Sequence, residues 1–537
     1  MTMRPAENVT VPAVNRDLIK VPAGKVTGTA MWAAAKLRVL QWNALAGNRV
    51  KLREVQEETL REHLTTSANT EFGRAHQFSR IRNHEDYKER VPLRTYADFE
   101  PYLERMRKGE TDVLYPGLIP YYGQSSGTSN TAAQHKFLPI SQSQIKWQQK
   151  AGVDVMARYL DLWGDKELSG GFFLALFPPS IIKQVGPVGV ASNPGIMQLH
   201  VPYPASMLQL PKVPIRDITD YDQKLAAMAE AYLDYDIRTL TGTTCWFSIF
   251  FDKVLSAANR RGMNVTHIKQ VWPNLRVLFG GGVPAEPYRA IIEDRVGRPV
   301  ALMDNYNATE GGIFACTDSR HDASMLMIPD RGVFFEFVPR EEHGKSNARR
   351  FPLWAVEPGV DYSVIVTTQS GLFAYTMGDF IRFESIFPHR IQFTGRASGV
   401  LSVTQELMTT SEIEHAVTEA QRREPSTIVD FSASSEVGVD GTAKGRYLLF
   451  VEFEPGKAPK NLQAFTEAFD RELCAQNRVY REHRAKDVAI LAPVVFPLKQ
   501  GATQQFAQAL GLSGFQTKFP HIIGDDRQKL LRSFVQS

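Results

Sequence analysis

The sequence predicts an α/β fold in two units: a large N-terminal domain of mixed β-sheets flanked by helices, and a smaller α+β C-terminal domain. Three observations lead there. At 537 residues the chain is longer than one ordinary core can organise. Short β-branched or aromatic runs flanked by Gly or Pro alternate with helical stretches over hundreds of residues. A polar, flexible pentad, Gly395-Arg396-Ala397-Ser398-Gly399, then interrupts the pattern. It divides the chain into residues 1–394 and 395–537.

The first unit opens with about 110 mostly helical residues. Residues 30–64 space their apolar side chains three and four apart, with Glu and Arg between them. Residues 114–129 read as a loop, from their Gly, Pro and Ser. A helical pattern returns over 144–162. Strands are expected at 171–177, 276–279, 300–303 and 362–367, and helices at 222–238 and 286–296. In the second unit a helix is expected at 411–422, a strand at 447–453 and a helix at 462–475. No internal repeat or low-complexity tract is present.

Composition excludes several classes of function. An apolar fraction of 43% with 22% charged residues is that of a globular protein, not a disordered or fibrous one. A formal net charge of +4 is too small for a dedicated nucleic-acid binder of this length. Cys245, Cys316 and Cys474 are scattered and odd in number, which suits neither a disulfide framework nor a metal site. The N-terminus has no continuous apolar segment of the secretory kind, and the apolar runs fall far short of the ~18 residues a membrane span needs. A cytoplasmic protein is expected, with no nucleic-acid or membrane partner.

Four segments combine residue types that can carry chemistry. Ser125-Ser126-Gly127-Thr128-Ser129 sets hydroxyls around a glycine, which lets backbone N–H groups and side chains converge on phosphate oxygens. It is neither a Walker A loop nor a Rossmann fingerprint, and read alone it is first of all an ordinary Ser/Gly loop. Gly280-Gly281-Gly282 follows an apolar strand, where glycines admit a ligand or another backbone closely, or simply make a turn. Tyr306-Asn307-Ala308-Thr309-Glu310 offers a ring, a hydroxyl and a carboxylate just past another strand, enough to stack a base, hold a phosphate and anchor Mg2+. Tyr375-Thr376-Met377-Gly378-Asp379 places a carboxylate where it can accept from both hydroxyls of a ribose. Glu310 and Asp379 also have a plain reading as turn or surface acids.

The order of these segments, closed by Gly395-Arg396, resembles the acyl-adenylate-forming enzymes. Within them the chain is similar to the acyl acid amido synthetases, the family named in plants for its auxin-responsive promoter. SANTEFGRAH (residues 67–76), RVPLRTYADFEPYLERM (90–106) and QTKFP (516–520) share in the resemblance, which runs from about residue 60 to 532. It implies that Ser125, Ser126, Gly127, Thr128 and Ser129 hold the β- and γ-phosphates of ATP, with Gly280 and Gly281 beside the nucleotide. Tyr306 then stacks on adenine, Thr309 meets the α-phosphate, Glu310 holds Mg2+ and Asp379 binds the ribose. Arg396 falls at the family's hinge. Lys518 matches the catalytic lysine of a C-terminal lid that swings onto the nucleotide. The chain departs from the family pattern in two places. Its phosphate loop lacks a second glycine and has extra residues before Lys136, which stays outside the expected phosphate set. Thr376-Met377 stands where an Arg usually follows the tyrosine.

The implied reaction uses ATP and Mg2+ to adenylate a small carboxylic acid and passes the acyl group to an amino acid. Two alternatives stay open on sequence: an acid–CoA ligase, which shares the adenylation motifs, and a non-catalytic nucleotide-binding protein on the same scaffold. No HExxH motif occurs among the twelve histidines, and His321 and His343 form no metal spacing. His389 reads as structural. Phe172-Phe173 and Trp246-Phe247 read as buried core, with an acyl pocket as their other possible use.

Overall fold

The computed structural model of the chain describes residues 17–21, 24–125, 136–282, 285–322, 324–397, 399–404, 406–510 and 520–536. Two helices, α1 (Gly24–Ala46) and α2 (Arg49–Ser67), replace the single helical stretch expected over 30–64. The break has a local cause. Asn48 leaves the helical region, and its side chain accepts from the Lys51 N–H at 3.1 Å, capping α2 afresh. Helix α3 (Tyr96–Arg107) begins with a reciprocal capping box between Thr95 and Asp98. Helix α4 (Gln142–Trp163) is capped by the Ser141 hydroxyl on the Gln144 N–H, a contact worth about 1 kcal/mol, and ends at Gly164 with φ of 64°.

Three sheets build the large unit. The first is four-stranded and contains β1 (Tyr121–Ser125), β2 (Lys136–Ile140), β4 (Lys183–Val185) and β5 (Val188–Ala191) in the order β2-β1-β5-β4. Strand β1 corrects the loop expected over 114–129: the prolines end at Pro120, and Tyr121 to Ser125, Gly123 among them, then pair with β2. The second sheet is wholly parallel. It orders β6 (Gln209–Leu210), β3 (Phe172–Leu176), β7 (Ile237–Gly242), β8 (Val277–Phe279) and β9 (Ala301–Met303) as β6-β3-β7-β8-β9. Helices α5 (Tyr221–Ala231), α6 (Cys245–Arg260) and α7 (Glu286–Val296) belong to its crossovers. Helix α5 stops seven residues before the expected end at 238, because Ile237 and Arg238 are already in β7. Their β-branched neighbours favour the central strand over another helical turn.

The third sheet is antiparallel and eight-stranded. It runs β10 (Asn305–Ala308), β11 (Gly312–Thr317), β12 (Met325–Met327), β17 (Arg390–Arg396), β16 (Tyr375–Ser385), β15 (Asp361–Thr368), β13 (Val333–Pro339), β14 (Phe351–Pro352). The segment 375–379 is the start of β16. Strand β17 continues through Gly395 and Arg396, two residues past the expected break. The pairing of Asp379 with Arg396 holds that extension in the sheet.

Beyond it lie α8 (Thr410–Arg423), α9 (Leu462–Gln476) and α10 (Arg478–Arg484), with a sheet of β18 (Ile428–Val437), β19 (Gly445–Phe453) and β20 (Val494–Pro497). This is the α+β unit the sequence predicts. Its own core gathers Ile413, Phe431, Tyr447, Phe465 and Phe469. Ala443, Val488 and Ala489 of the same unit join the core around the parallel sheet, so the two units pack together. Among the described residues no helix is long and apolar enough to cross a membrane.

Candidate active site

A cleft of about 2100 Å³ opens where the carboxyl ends of β3, β7, β8 and β9 meet β10, β16 and the C-terminal unit. Ligands of open parallel sheets bind at that edge, because strands end there in loops and helices begin. Seven of the expected residues, Gly280, Gly281, Tyr306, Thr309, Glu310, Asp379 and Arg396, line this cleft. They come from four separate strand ends.

The glycines accommodate the protein's own side chains. A Cβ on Gly280 would lie 2.3 Å from the Thr244 hydroxyl oxygen, and one on Gly281 would lie 2.7 Å from Nδ2 of Asn307. The Gly280 N–H donates to the Met303 carbonyl at 2.8 Å, and Asn305 Nδ2 donates to the Gly280 carbonyl. Asp304 completes this staple by accepting from the Ala285 N–H at 3.1 Å and the Asn305 N–H at 2.9 Å. Burial pushes its carboxyl up to about 6. Sequence reasoning missed Asp304; its signal was an acid between a strand and Tyr306.

Tyr306 is buried on β10, with its ring edge-on to Phe314. Its hydroxyl donates to Asp379 Oδ2 at 2.9 Å, while Arg396 Nε meets Asp379 Oδ1 at 2.8 Å. Burial first, and the Asp379 charge second, push the Tyr306 phenol far above its ordinary value. Each Asp379 oxygen keeps a second lone pair, so both can still accept from ribose hydroxyls.

Thr309 and Glu310 form the turn between β10 and β11. The Thr309 carbonyl accepts from Gln144 Nε2 at 2.8 Å, and its methyl group sits against Gly123 of β1. A Cβ on Gly123 would come within 2.5 Å of that methyl, so the glycine is required for the close approach. Burial raises the Glu310 carboxyl and the nearby Lys136 ammonium opposes the shift. Burial lowers Lys136 in turn, with Glu310 acting against it. Lys136 therefore lies in the cleft beside Glu310, and its ammonium is 5.6 Å from the centre of the Tyr96 ring. It opens β2 directly opposite Ser125 at the end of β1. Ser126, Gly127, Thr128, Ser129 and Lys518 lie outside the described residues.

The aromatic pairs divide by position. Phe247 is fully buried, whereas Trp246 lines the cleft, stacked on Tyr221 at 5.2 Å and edge-on to His483 at 4.9 Å. Phe172 and Phe173 are core-packing residues. His389 is buried between Phe383 and Phe387, and burial lowers its imidazole to about 4, so it is a neutral core ring. His343 bonds to Ser363 and His321 lines the cleft, far from making a pair.

Known proteins match this chain along nearly its whole length. An indole-3-acetic acid-amido synthetase of Arabidopsis thaliana, GH3.2, is 23% identical over 516 residues, covering 81% of this chain and 91% of its own. The solved structure of AtGH3.15 acyl acid amido synthetase in complex with 2,4-DB superposes with a TM-score of 0.58 at 19% identity, covering 96% of this chain and 98% of that one. A 2-hydroxyisobutyryl-CoA ligase holding 2-HIB-AMP and CoA superposes with a TM-score of 0.53 at 14% identity, over 90% of this chain and 92% of that one. At these identities the two structures establish a common fold. The GH3 family N-terminal, central and C-terminal domain models match residues 47–229, 326–396 and 411–527, and on that basis the chain belongs to the GH3 family.

Proposed function

We propose that this protein is an ATP-dependent acyl acid amido synthetase that adenylates a small carboxylic acid and transfers the acyl group to the amine of an amino acid. Its membership of the GH3 family supports the reading, and one observation carries it: Tyr306, Asp379 and Arg396 form a connected set at the edge of the parallel sheet, with Thr309, Glu310 and Lys136 in the same cleft.

The chemistry needs two displacements. A carboxylate oxygen of the acid attacks the α-phosphorus of ATP, the bond to the bridging oxygen breaks, and pyrophosphate leaves. The amine then attacks the acyl carbonyl and loses its proton, and AMP departs with the bonding electrons. Both steps need reactants held in place and negative charge offset more than they need a covalent nucleophile. Asp379 accepts from the ribose and Tyr306 braces that carboxylate while flanking adenine. Thr309 meets the α-phosphate. Ser125, Ser126, Gly127, Thr128 and Ser129 meet the outer phosphates, with Gly280 and Gly281 beside the nucleotide. Lys136 adds positive charge at the foot of that loop, and Lys518 brings a second ammonium from the C-terminal unit.

Glu310 suits Mg2+. Among the described residues no three acidic, Cys or His side chains are arranged to hold a metal ion by themselves, and Mg2+ takes one or two carboxylates and completes its shell with phosphates and water. A half-buried carboxylate whose ionised form is disfavoured also gains from a cation. When bound, the ion offsets phosphate charge.

We divide the chain at 394/395, with residues 395–537 as a lid that turns between the two half-reactions. The test is a panel of carboxylic acids screened for ATP–pyrophosphate exchange, followed by AMP release with amino acids or with CoA. Acid-dependent exchange and an N-acyl amino acid seen by mass spectrometry are expected. An acyl-CoA product, with all twenty amino acids inactive, would replace the synthetase by a thioester ligase. ATP binding without exchange for any acid would leave a nucleotide-binding protein.

A further inference from the structure

Helix α10 presents Arg478, Val479, Glu482 and His483 to the cleft. Its charges are divided between two uses. Arg484 is tied to Asp470 at 2.9 Å, and Arg481 donates to the Cys474 carbonyl, so both are engaged inside the C-terminal unit. Arg478 and Glu482 pair only with each other among the described residues, Nη1 to Oε1 at 2.6 Å, and keep 46% and 36% of their side-chain surface exposed. They face Tyr221, whose phenol senses both charges, Glu482 raising it and Arg478 opposing on top of the larger effect of burial. Tyr221 stacks on Trp246, and Trp246 opens α6 just past the carboxyl end of β7. The pair therefore stands over the sheet edge that also carries Gly280 and Asp304.

We propose that Arg478 and Glu482 form the subsite for the acceptor amino acid, Arg478 taking its α-carboxylate and Glu482 its α-ammonium. This rests on the amide-forming function proposed above. An α-amino acid carries two opposite charges at fixed separation, and a cation and an anion one helical turn apart on a cleft wall offer both partners. A guanidinium grips a carboxylate through two parallel N–H bonds, a geometry that lysine lacks. An exposed pair at this helical spacing is weakly held, so the zwitterion can replace each member's partner at little cost. Elsewhere in the cleft, Asp379 and Arg396 are committed to each other, and Lys136 and Glu310, both half-buried, offset one another's charge. A second helical pair, Arg289 and Glu293 of α7 at 3.7 Å, also lines the cleft and serves as the comparison.

The experiment separates the half-reactions. Pyrophosphate exchange is measured with an acid from the panel, and amide formation with each of the twenty amino acids and with the primary amide of the best acceptor. Arg478→Ala is expected to leave exchange unchanged, which also reports intact folding. It raises KM for the amino acid by about tenfold or more and abolishes the preference for the free acid over its primary amide. Arg478→Lys restores part of that preference. Glu482→Gln raises the same KM, and Arg289→Ala leaves the preference in place. If Arg478→Ala still prefers the free amino acid as the parent does, or if the preference disappears with Arg289 instead, the assignment is overturned. If the parent exchanges pyrophosphate but no amino acid gives an amide, the subsite falls while adenylation stands. Absence of exchange with every acid removes the synthetase reading itself, and the subsite with it.

Discussion

The Tyr306 hydroxyl donates to the Asp379 carboxylate at 2.9 Å, and this single bond ties the β10–β11 hairpin to β16 across the cleft. It makes the two residues separable by experiment. Asp379→Ala removes the proposed acceptor for both ribose hydroxyls, an expected loss of about 2–3 kcal/mol in ATP binding. Tyr306→Phe keeps the ring and removes only the brace, so it should cost about 1 kcal/mol. Binding of ATP and of its 2′,3′-dideoxy analogue checks both. A variant lacking Asp379 that discriminates between them as the parent does would show that Asp379 does not read the ribose.

Lys136 is the second test of the proposed nucleotide site. Its side chain is half-buried near Glu310, and its backbone pairs opposite Ser125. Lys136→Met preserves much of the length and apolar stem while deleting the charge. We expect KM for ATP to rise by about tenfold or more with the fold intact, since a desolvated cation near phosphate is worth more than an exposed one. An unchanged KM would leave Lys136 only as a neighbour of Tyr96.

Much of this site was legible because strand ends carry their own punctuation. The apolar run into Gly280-Gly281-Gly282 and the run into Tyr306 both fall at carboxyl ends of parallel strands, and the helix at 286–296 has the expected bounds. Burial and pairing were not legible. Asp379 and Arg396 are 17 positions apart and meet only through the register of β16 with β17, which no periodicity announces. Lys136 looked displaced by extra residues when read linearly, yet the β1–β2 hairpin returns it to the loop's other end. Trp246 and Phe247 are adjacent apolar residues of one helix, and the 100° turn between them sends one to the cleft and the other to the core.

Lys518 lies in the QTKFP segment, and the proposed mechanism gives it the charge developing on the α-phosphate. Lys518→Ala should slow acyl-AMP formation by about a hundredfold or more, the usual effect of losing one preorganised contact, while ATP still binds. Pyrophosphate exchange at the parental rate would remove Lys518 from the mechanism.

His521 predicts a pH effect in the same part of the chain. Its Nδ1 meets Glu414 Oε1 at 2.7 Å and its Nε2 meets Asp430 Oδ1 at 3.1 Å. A neutral imidazole has one N–H, so only the cation can donate to both carboxylates. Asp430 first, with Glu414 adding and burial opposing, raises the imidazole above its ordinary 6.5. A raised value stabilises the fold fully below about 6.5, and that stability is lost as pH rises through the folded value. Thermal unfolding followed from pH 6 to 9 should show this decline in the parent and a shallower one in His521→Gln. Parallel curves would mean that the contacts add nothing to stability.

The proposed lid turns beside Gly395 and Arg396, and here the structure alters the obvious experiment. The Ala397 N–H donates to the Gly378 carbonyl at 2.7 Å, locking the start of the connection to the residue before Asp379. Proline at 397 fixes φ near −65° but also deletes this bond, so its effect mixes stiffness with a lost contact. Ala397→Gly keeps the donor and loosens the backbone, which makes it the necessary companion. If the C-terminal unit must take two orientations, acyl-AMP formation and amide formation depend on this joint differently. The two variants should then change the ratio of the half-reactions by about threefold or more, measured in single turnover with intact folding. Equal loss of both half-reactions in both variants would tie residue 397 to stability alone and count against rotation at this joint.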